Sequence, residues 1–198
     1  NQIAIFDGHG GAKQFGSNAL AVAVNSSGTI LYDIYNGISL DCREGTFTIA
    51  LYPSNATVPY PSNQDNDYGA GGGFGINDRG DVVGFYRDSN FNTAGFYYHN
   101  GSSIELLPAG YSGEGTGFVA LGINNAEIIV GRAGPNATGS PHAFAWSNGV
   151  FTDLNSVLGA DCRDWTITSA QAVNNHGYII GTAQLGNDEH GVILVPRP

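Results

Sequence analysis

Asn63, Asp65 and Asp67 stand at alternate positions in SNQDNDYGAGGG (62–73), with Gly69 close behind. Oxygen side chains at that spacing can wrap a calcium ion. The distal Glu of a helix–loop–helix calcium site is missing, since position 74 is Phe, and a solvated acidic loop is the competing reading. DGHGG (7–11) sets Asp7 near His9 on flexible backbone, an arrangement open to acid–base work. Against it stands a Gly-rich linker that contains one His. His99, His142, His176 and His190 are scattered, and two isolated cysteines build no structural zinc site. No Ser is framed as a nucleophile elbow, and nothing singles out a carboxylate pair for glycoside hydrolysis. The expectation is no enzyme, no cofactor and no metal beyond the calcium candidate.

Composition narrows the partners. The 198 residues carry a net charge of −10 with only seven Lys plus Arg, which argues against nucleic acid and anionic lipid. No apolar run has the length of a membrane span. The chain contains no Met, so processing is expected, most simply loss of a secretory leader, with an arbitrary start as the alternative. Four sequons, at Asn25, Asn55, Asn100 and Asn136, fit an extracellular location. Cys42 and Cys162 sit in related phrases, DCREGTFTI and DCRDWTITS. Outside the cell they are expected to pair; in a reducing compartment they would be two buried thiols.

The elements that would position these residues come from a repeat. GINDRGDVVG (75–84) returns as GINNAEIIVG (122–131) and AVNNHGYIIG (172–181), and more loosely as AVNSSGTILY (23–32). The motif Asn falls at positions 25, 77, 124 and 174. Each copy opens with a small apolar stretch, ALAVAV, GGGFGI, FVALGI or AQAV. A turn follows whose Asn, Asp and Gly suit a left-handed backbone. Glu127 replaces the turn Gly of the third copy, so that turn is expected to be strained or of another type. Then comes a nearly unbroken apolar strand, DVVGFY, IIVGRA or YIIGTA, of the kind buried on both faces. A third strand follows in every copy (TFTIALY, AGFYYHN, HAFAWSN, HGVILV) and a fourth in the middle two (SIELLP, VFTDLN).

The expected fold is all-β. Four units at about 17–69, 70–115, 116–165 and 166–198 each form a four-stranded antiparallel meander. Such units build a small four-bladed β-propeller; a β-sandwich or solenoid of the same meanders is the alternative. The last unit stops after its third strand. QIAIFDG (2–8) has the pattern of the missing fourth, and residues 1–16 read as that strand plus a Gly-rich joint. The strand Gln2, Ile3, Ala4, Ile5, Phe6, Asp7 is therefore expected to complete the edge formed by Gly191, Val192, Ile193, Leu194 and Val195, in the same chain or in the next copy. Ile3 and Ile5, flanked by Phe15, would be its buried side chains.

His142-Ala143-Phe144, with INN (123–125), IIVG (128–131), Trp146 and Asp153-Leu154, resembles the HAF-repeat family of bacterial extracellular proteins. The likeness covers residues 70–195 well and 17–60 loosely. It implies a secreted or surface location and a repeat architecture, and no active site. Alternation places Phe96, Tyr98, Phe144 and Trp146 in the core. Tyr60, Tyr68 and Tyr111 fall in loops, open to a binding role. Two functions follow: a structural subunit that polymerises head to tail with itself by strand donation, or a closed monomeric propeller that binds glycans or proteins through its loops.

Overall fold

The computed structural model describes residues 2–6, 9, 11–35, 47–61, 71–87, 92–106, 117–134 and 141–196. It is all-β, with four small antiparallel sheets in chain order and one hairpin ahead of them. The hairpin is β1 (Gln2–Phe6) with β2 (Ala12–Ser17). Unit 1 holds β3 (Ala19–Val24), β4 (Ile30–Tyr35), β5 (Phe47–Tyr52) and β6 (Ala56–Val58). Unit 2 holds β7 (Gly71–Ile76), β8 (Val82–Arg87), β9 (Thr93–His99) and β10 (Ser102–Leu106). Unit 3 holds β11 (Val119–Ile123), β12 (Ile129–Ala133), β13 (His142–Ser147) and β14 (Val150–Asp153). Unit 4 holds β15 (Trp165–Val173), β16 (Ile179–Leu185) and β17 (Asp188–Leu194). In every sheet the strands pair in sequence order, the expected meander.

Two details differ from expectation. Residues 12–17 are a strand rather than a flexible joint: β2 pairs with β1 from Ala12 opposite Phe6 to Phe15 opposite Ile3. The run VFTDLN also stops short as a strand. Asp153 accepts a hydrogen bond from Asn155 N and opens a 3-10 turn, Leu154–Val157, with a second at Ala160–Cys162.

No unit owns a core; the cores lie between units. Leu31, Ile49, Leu51 and Val58 of unit 1 pack with Ile76, Val82, Tyr86, Ala94 and Phe96 of unit 2. Val83, Tyr97 and Leu106 of unit 2 meet unit 3 through Phe118, Ile123, Ile129 and Phe144. Val130, Ala143 and Leu154 of unit 3 meet Ile167, Ala170 and Ile179 of unit 4. This is why the second strands read as unbroken apolar runs. Val82 faces back to unit 1 and Val83 forward to unit 3, and both are fully buried. A single meander has one apolar face too many to be stable alone, and stacking covers it.

Close packing is built into small residues. A Cβ on Gly84 would lie 2.0 Å from the Gly72 carbonyl oxygen, and one on Gly131 2.0 Å from that of Val119. The space goes to the aromatic on the paired strand: Phe96 opposite Gly84, Phe144 opposite Gly131. Unit 1 inverts the pair, with Tyr32 opposite Ala50. Its back face meets the hairpin instead of another unit. Ile3 packs there with Ala19, Tyr32 and Ala50, while Phe15 stacks on Tyr52 at 4.3 Å.

The four motif turns share one geometry. The Asn carbonyl accepts from the residue three positions on, at 3.0–3.1 Å in all four. That residue has positive φ throughout: Gly28 +80°, Gly80 +84°, Gly177 +81° and Glu127 +58°. The third turn is thus the same type, with Glu127 held in a left-handed conformation that costs a side chain roughly 1–2 kcal/mol. Its carboxylate lies 2.7 Å from the Arg79 guanidinium of unit 2, a half-exposed pair. Glu127→Gly and Glu127→Ala both lose this pair, but only Gly relieves the backbone. The Gly variant is expected to be the more stable by roughly 1–2 kcal/mol in urea denaturation; equal midpoints would contradict the strain.

Candidate assembly surface

The motif asparagines join the units as well as forming the turns. Within its own turn, Asn77 Oδ1 accepts from Arg79 N and Asp81 N, both at 3.0 Å. Asn124 Oδ1 does the same for Ala126 N and Ile128 N, and Asn174 Oδ1 for His176 N and Tyr178 N. The amide nitrogen then reaches forward. Asn25 Nδ2 donates to the Asn77 carbonyl at 2.9 Å, Asn77 Nδ2 to that of Asn124 at 3.2 Å, and Asn124 Nδ2 to that of Asn174 at 2.9 Å. One residue along, a second rail runs parallel. Ser26 N donates to Asp78 Oδ1, Asp78 N to Asn125 Oδ1 and Asn125 N to Asn175 Oδ1, at 2.8–2.9 Å. Ser26 and Asn125 together hold the Asp78 carboxyl below its ordinary value.

The rails end where the stack ends. Asn77 and Asn124 are buried at 3 % exposure, whereas Asn174 is exposed. Six residues past the motif Asn, Leu31, Val83 and Val130 are 0 % exposed, each pressed on the following unit; Ile180 at the same place in unit 4 is 49 % exposed. Its cross-strand partner Ile193 is 67 % exposed, and Tyr178 and Val195 extend the patch. At the other end Val24 is exposed, while its counterparts Ile76 and Ile123 are buried against the preceding units. Among the described residues, β17 pairs only with β16, so its outer edge is open.

Titratable side chains also cluster away from the rails. Asp81, His99 and Glu127 come within 4.8 Å of one another, a possible chelating set. Arg79 already provides the cation there, 3.1 Å from Asp81 and 2.7 Å from Glu127. His142 Nδ1 lies 2.8 Å from Asp153 Oδ2. Burial raises the Asp153 carboxyl, but its bonds from His142 and Asn155 hold it net below the ordinary value. A cleft of about 480 Å³ opens there, lined by His142, Asn155, Cys162, Arg163 and Trp165. Asp33 is packed at the boundary of units 1 and 2, accepting from Gly73 N at 3.1 Å, and burial raises its pKa to about 6.

Of the residues read from sequence, Asp7, Cys42, Asn63, Asp65, Asp67, Tyr68, Tyr111 and Asn136 lie outside the described residues. Among the described residues Cys162 is a partly exposed free thiol, so the expected pairing with Cys42 finds no support. Asn55 and Asn100 are exposed turn residues with positive φ. Asn25 has its amide nitrogen committed to Asn77. Tyr60, read as a loop residue open to ligands, instead packs on Tyr86 and Phe96, and burial raises its hydroxyl pKa. On β1, Ile3 is buried against unit 1 of its own chain and Ile5 is partly buried, where the edge of unit 4 was the expected neighbour. Gly191, Ile193 and Val195 are exposed, and Val192 and Leu194 pack towards unit 3. The forward bond of the motif Asn was not legible, because the turn alone accounts for an Asn at that place. No described helix is long and apolar enough to cross a membrane. The sequence matches no protein-family model and no curated protein.

Two outcomes test this geometry. Asn124→Asp keeps the oxygen that caps its own turn but sets a carboxylate against the Asn174 carbonyl. It is expected to destabilise the fold by roughly 1–3 kcal/mol, measured as a lower urea midpoint with unchanged slope. Asp33 is favoured protonated in the fold, so its contribution is full below the unfolded value of 3.8 and is lost as pH rises to about 6. The stability of Asp33→Asn relative to the parent should therefore rise through that window and level off above it; a flat difference would place Asp33 in solvent.

Proposed function

We propose that the chain is an extracellular structural subunit that polymerises head to tail with its own copies. The observation that carries this is the pair of unmatched ends. Unit 4 exposes, at Ile180, the position that units 1 to 3 bury, and unit 1 exposes, at Val24, the position that units 2 and 3 bury. A second copy supplies both missing partners. The N-terminal strand arrives as part of the β1–β2 hairpin and lies beside the open edge of β17, extending that sheet across the junction. Such a contact is heterologous: each subunit gives and receives once, and the assembly extends unless the rotation closes it.

The same contact made within one chain closes the four-bladed propeller expected from the repeat. A monomer of that kind, binding glycans or proteins, is favoured by one feature, the cleft that sets Trp165 beside Asn155 and Arg163. The sequons and the likeness to HAF-repeat proteins support placement outside the cell. There Asn55, Asn100 and Asn136 serve as glycan acceptors. The net charge of −10 keeps nucleic acid off the list of partners.

Negative-stain microscopy and size-exclusion chromatography across a concentration series test the proposal. The parent chain is expected to form elongated particles. Ile180→Asp combined with Ile193→Asp, which places charge on an exposed face, should leave a folded monomer. A parent chain that stays monomeric at millimolar concentration would refute polymerisation.

A further inference from the structure

The geometry points to how the two ends mate: the asparagine rails continue from one copy into the next. This rests on the head-to-tail reading above and makes it specific. Along the chain each rung has one form, an Asn amide nitrogen donating to the carbonyl of the next motif Asn. The carbonyls of Asn77, Asn124 and Asn174 each accept two bonds, one from their own turn and one from the preceding unit. Among the described residues the Asn25 carbonyl accepts only the bond from Gly28 N. At the other end Asn174 Nδ2 has no partner among the described residues, although its Oδ1 is engaged as in the other turns. The described stack thus presents a donor on unit 4 and an acceptor of the same kind on unit 1.

The apolar surfaces agree with the polar ones. By register, Tyr178, Ile180, Ile193 and Val195 share the front face of unit 4. Their counterparts in unit 2 are Asp81, Val83, Tyr97 and His99, of which the first three are buried. On the back of unit 1, Val24 and Ile30 form a cross-strand pair beside Asn25, the place that Ile76 and Val82 hold beside Asn77. The hairpin covers Ala19, Tyr32, Ala50 and Tyr52 and leaves Val24 exposed. We therefore assign the junction as Asn174 Nδ2 to the Asn25 carbonyl of the next copy, with Ile180 and Tyr178 against Val24 and Ile30. The junction repeats the rung and the apolar pair beside it, while the hairpin holds the rest of the back face of unit 1, and Asn175 of one copy abuts Ser26 of the next.

Asn174→Asp tests the rung without disturbing its own turn, because the capping oxygen is retained. Its thermal midpoint should match the parent, while the concentration needed for assembly rises about tenfold, the equivalent of one lost hydrogen bond of ~1.4 kcal/mol. A second variant, Ser26→Cys with Asn175→Cys, places thiols on the two sides of the junction. Mild oxidation should give a ladder of covalent multimers on non-reducing gels that neither single variant gives. If filaments form but the double variant does not cross-link and Asn174→Asp assembles like the parent, the ends mate through other surfaces and this assignment is wrong while polymerisation stands. If the parent chain forms no assembly, both fall together.

Discussion

One amide side chain holds this structure in register. Asparagine presents an acceptor and a donor on a single short, planar group. The acceptor closes its own turn and the donor reaches the next. An aspartate would keep the first function and lose the second, and a serine is too short to span the gap while capping two backbone N–H groups. Buried as they are at Asn77 and Asn124, these amides would be costly without partners. Their pairing is what fixes each unit at one height and one rotation relative to its neighbour.

Around that polar spine the apolar energy is shared between units. Burying Leu31, Val83 or Val130 is worth roughly 1.5–3 kcal/mol each, and none of it is available to an isolated meander. Stability is then a property of interfaces, as in other stacked repeats. The hairpin fits this logic. It lies on the back of unit 1 with Ile3 and Phe15 where a preceding unit would pack, and unit 1 answers by exchanging the Gly and Phe of units 2 and 3 for Tyr32 and Ala50.

Much of this was legible in the residues. The period, the turn and the two-faced apolar strands gave the meander and the number of units, because each is a local pattern in backbone conformation or burial. The pairing of β1 with β2 was hidden because GHGGAKQFGS shows no alternation strong enough to outweigh its glycines. The strand β6 was hidden by its length of three residues between prolines. The exposed end faces were half visible. Sequence marks Ile180 as a buried type of residue, and only the stack shows that nothing in the described chain covers it. The rails left no trace, since a bond between residues about fifty positions apart alters no local periodicity.

The internal rung has a consequence for how such a chain changes over generations. Donor and acceptor are the same residue type in the same turn, so no rung records which unit it belongs to. A duplication or loss of one whole unit between motif asparagines would leave every remaining rung intact and every interface of the same kind. Copy number is therefore nearly free of folding constraint, and unequal recombination within the repeat could lengthen or shorten the stack without redesign. The first unit is individual through the Tyr32–Ala50 exchange that fits it to the hairpin, and the fourth through its three strands. A lineage of such chains should differ most readily in the number of middle units and least readily at the start.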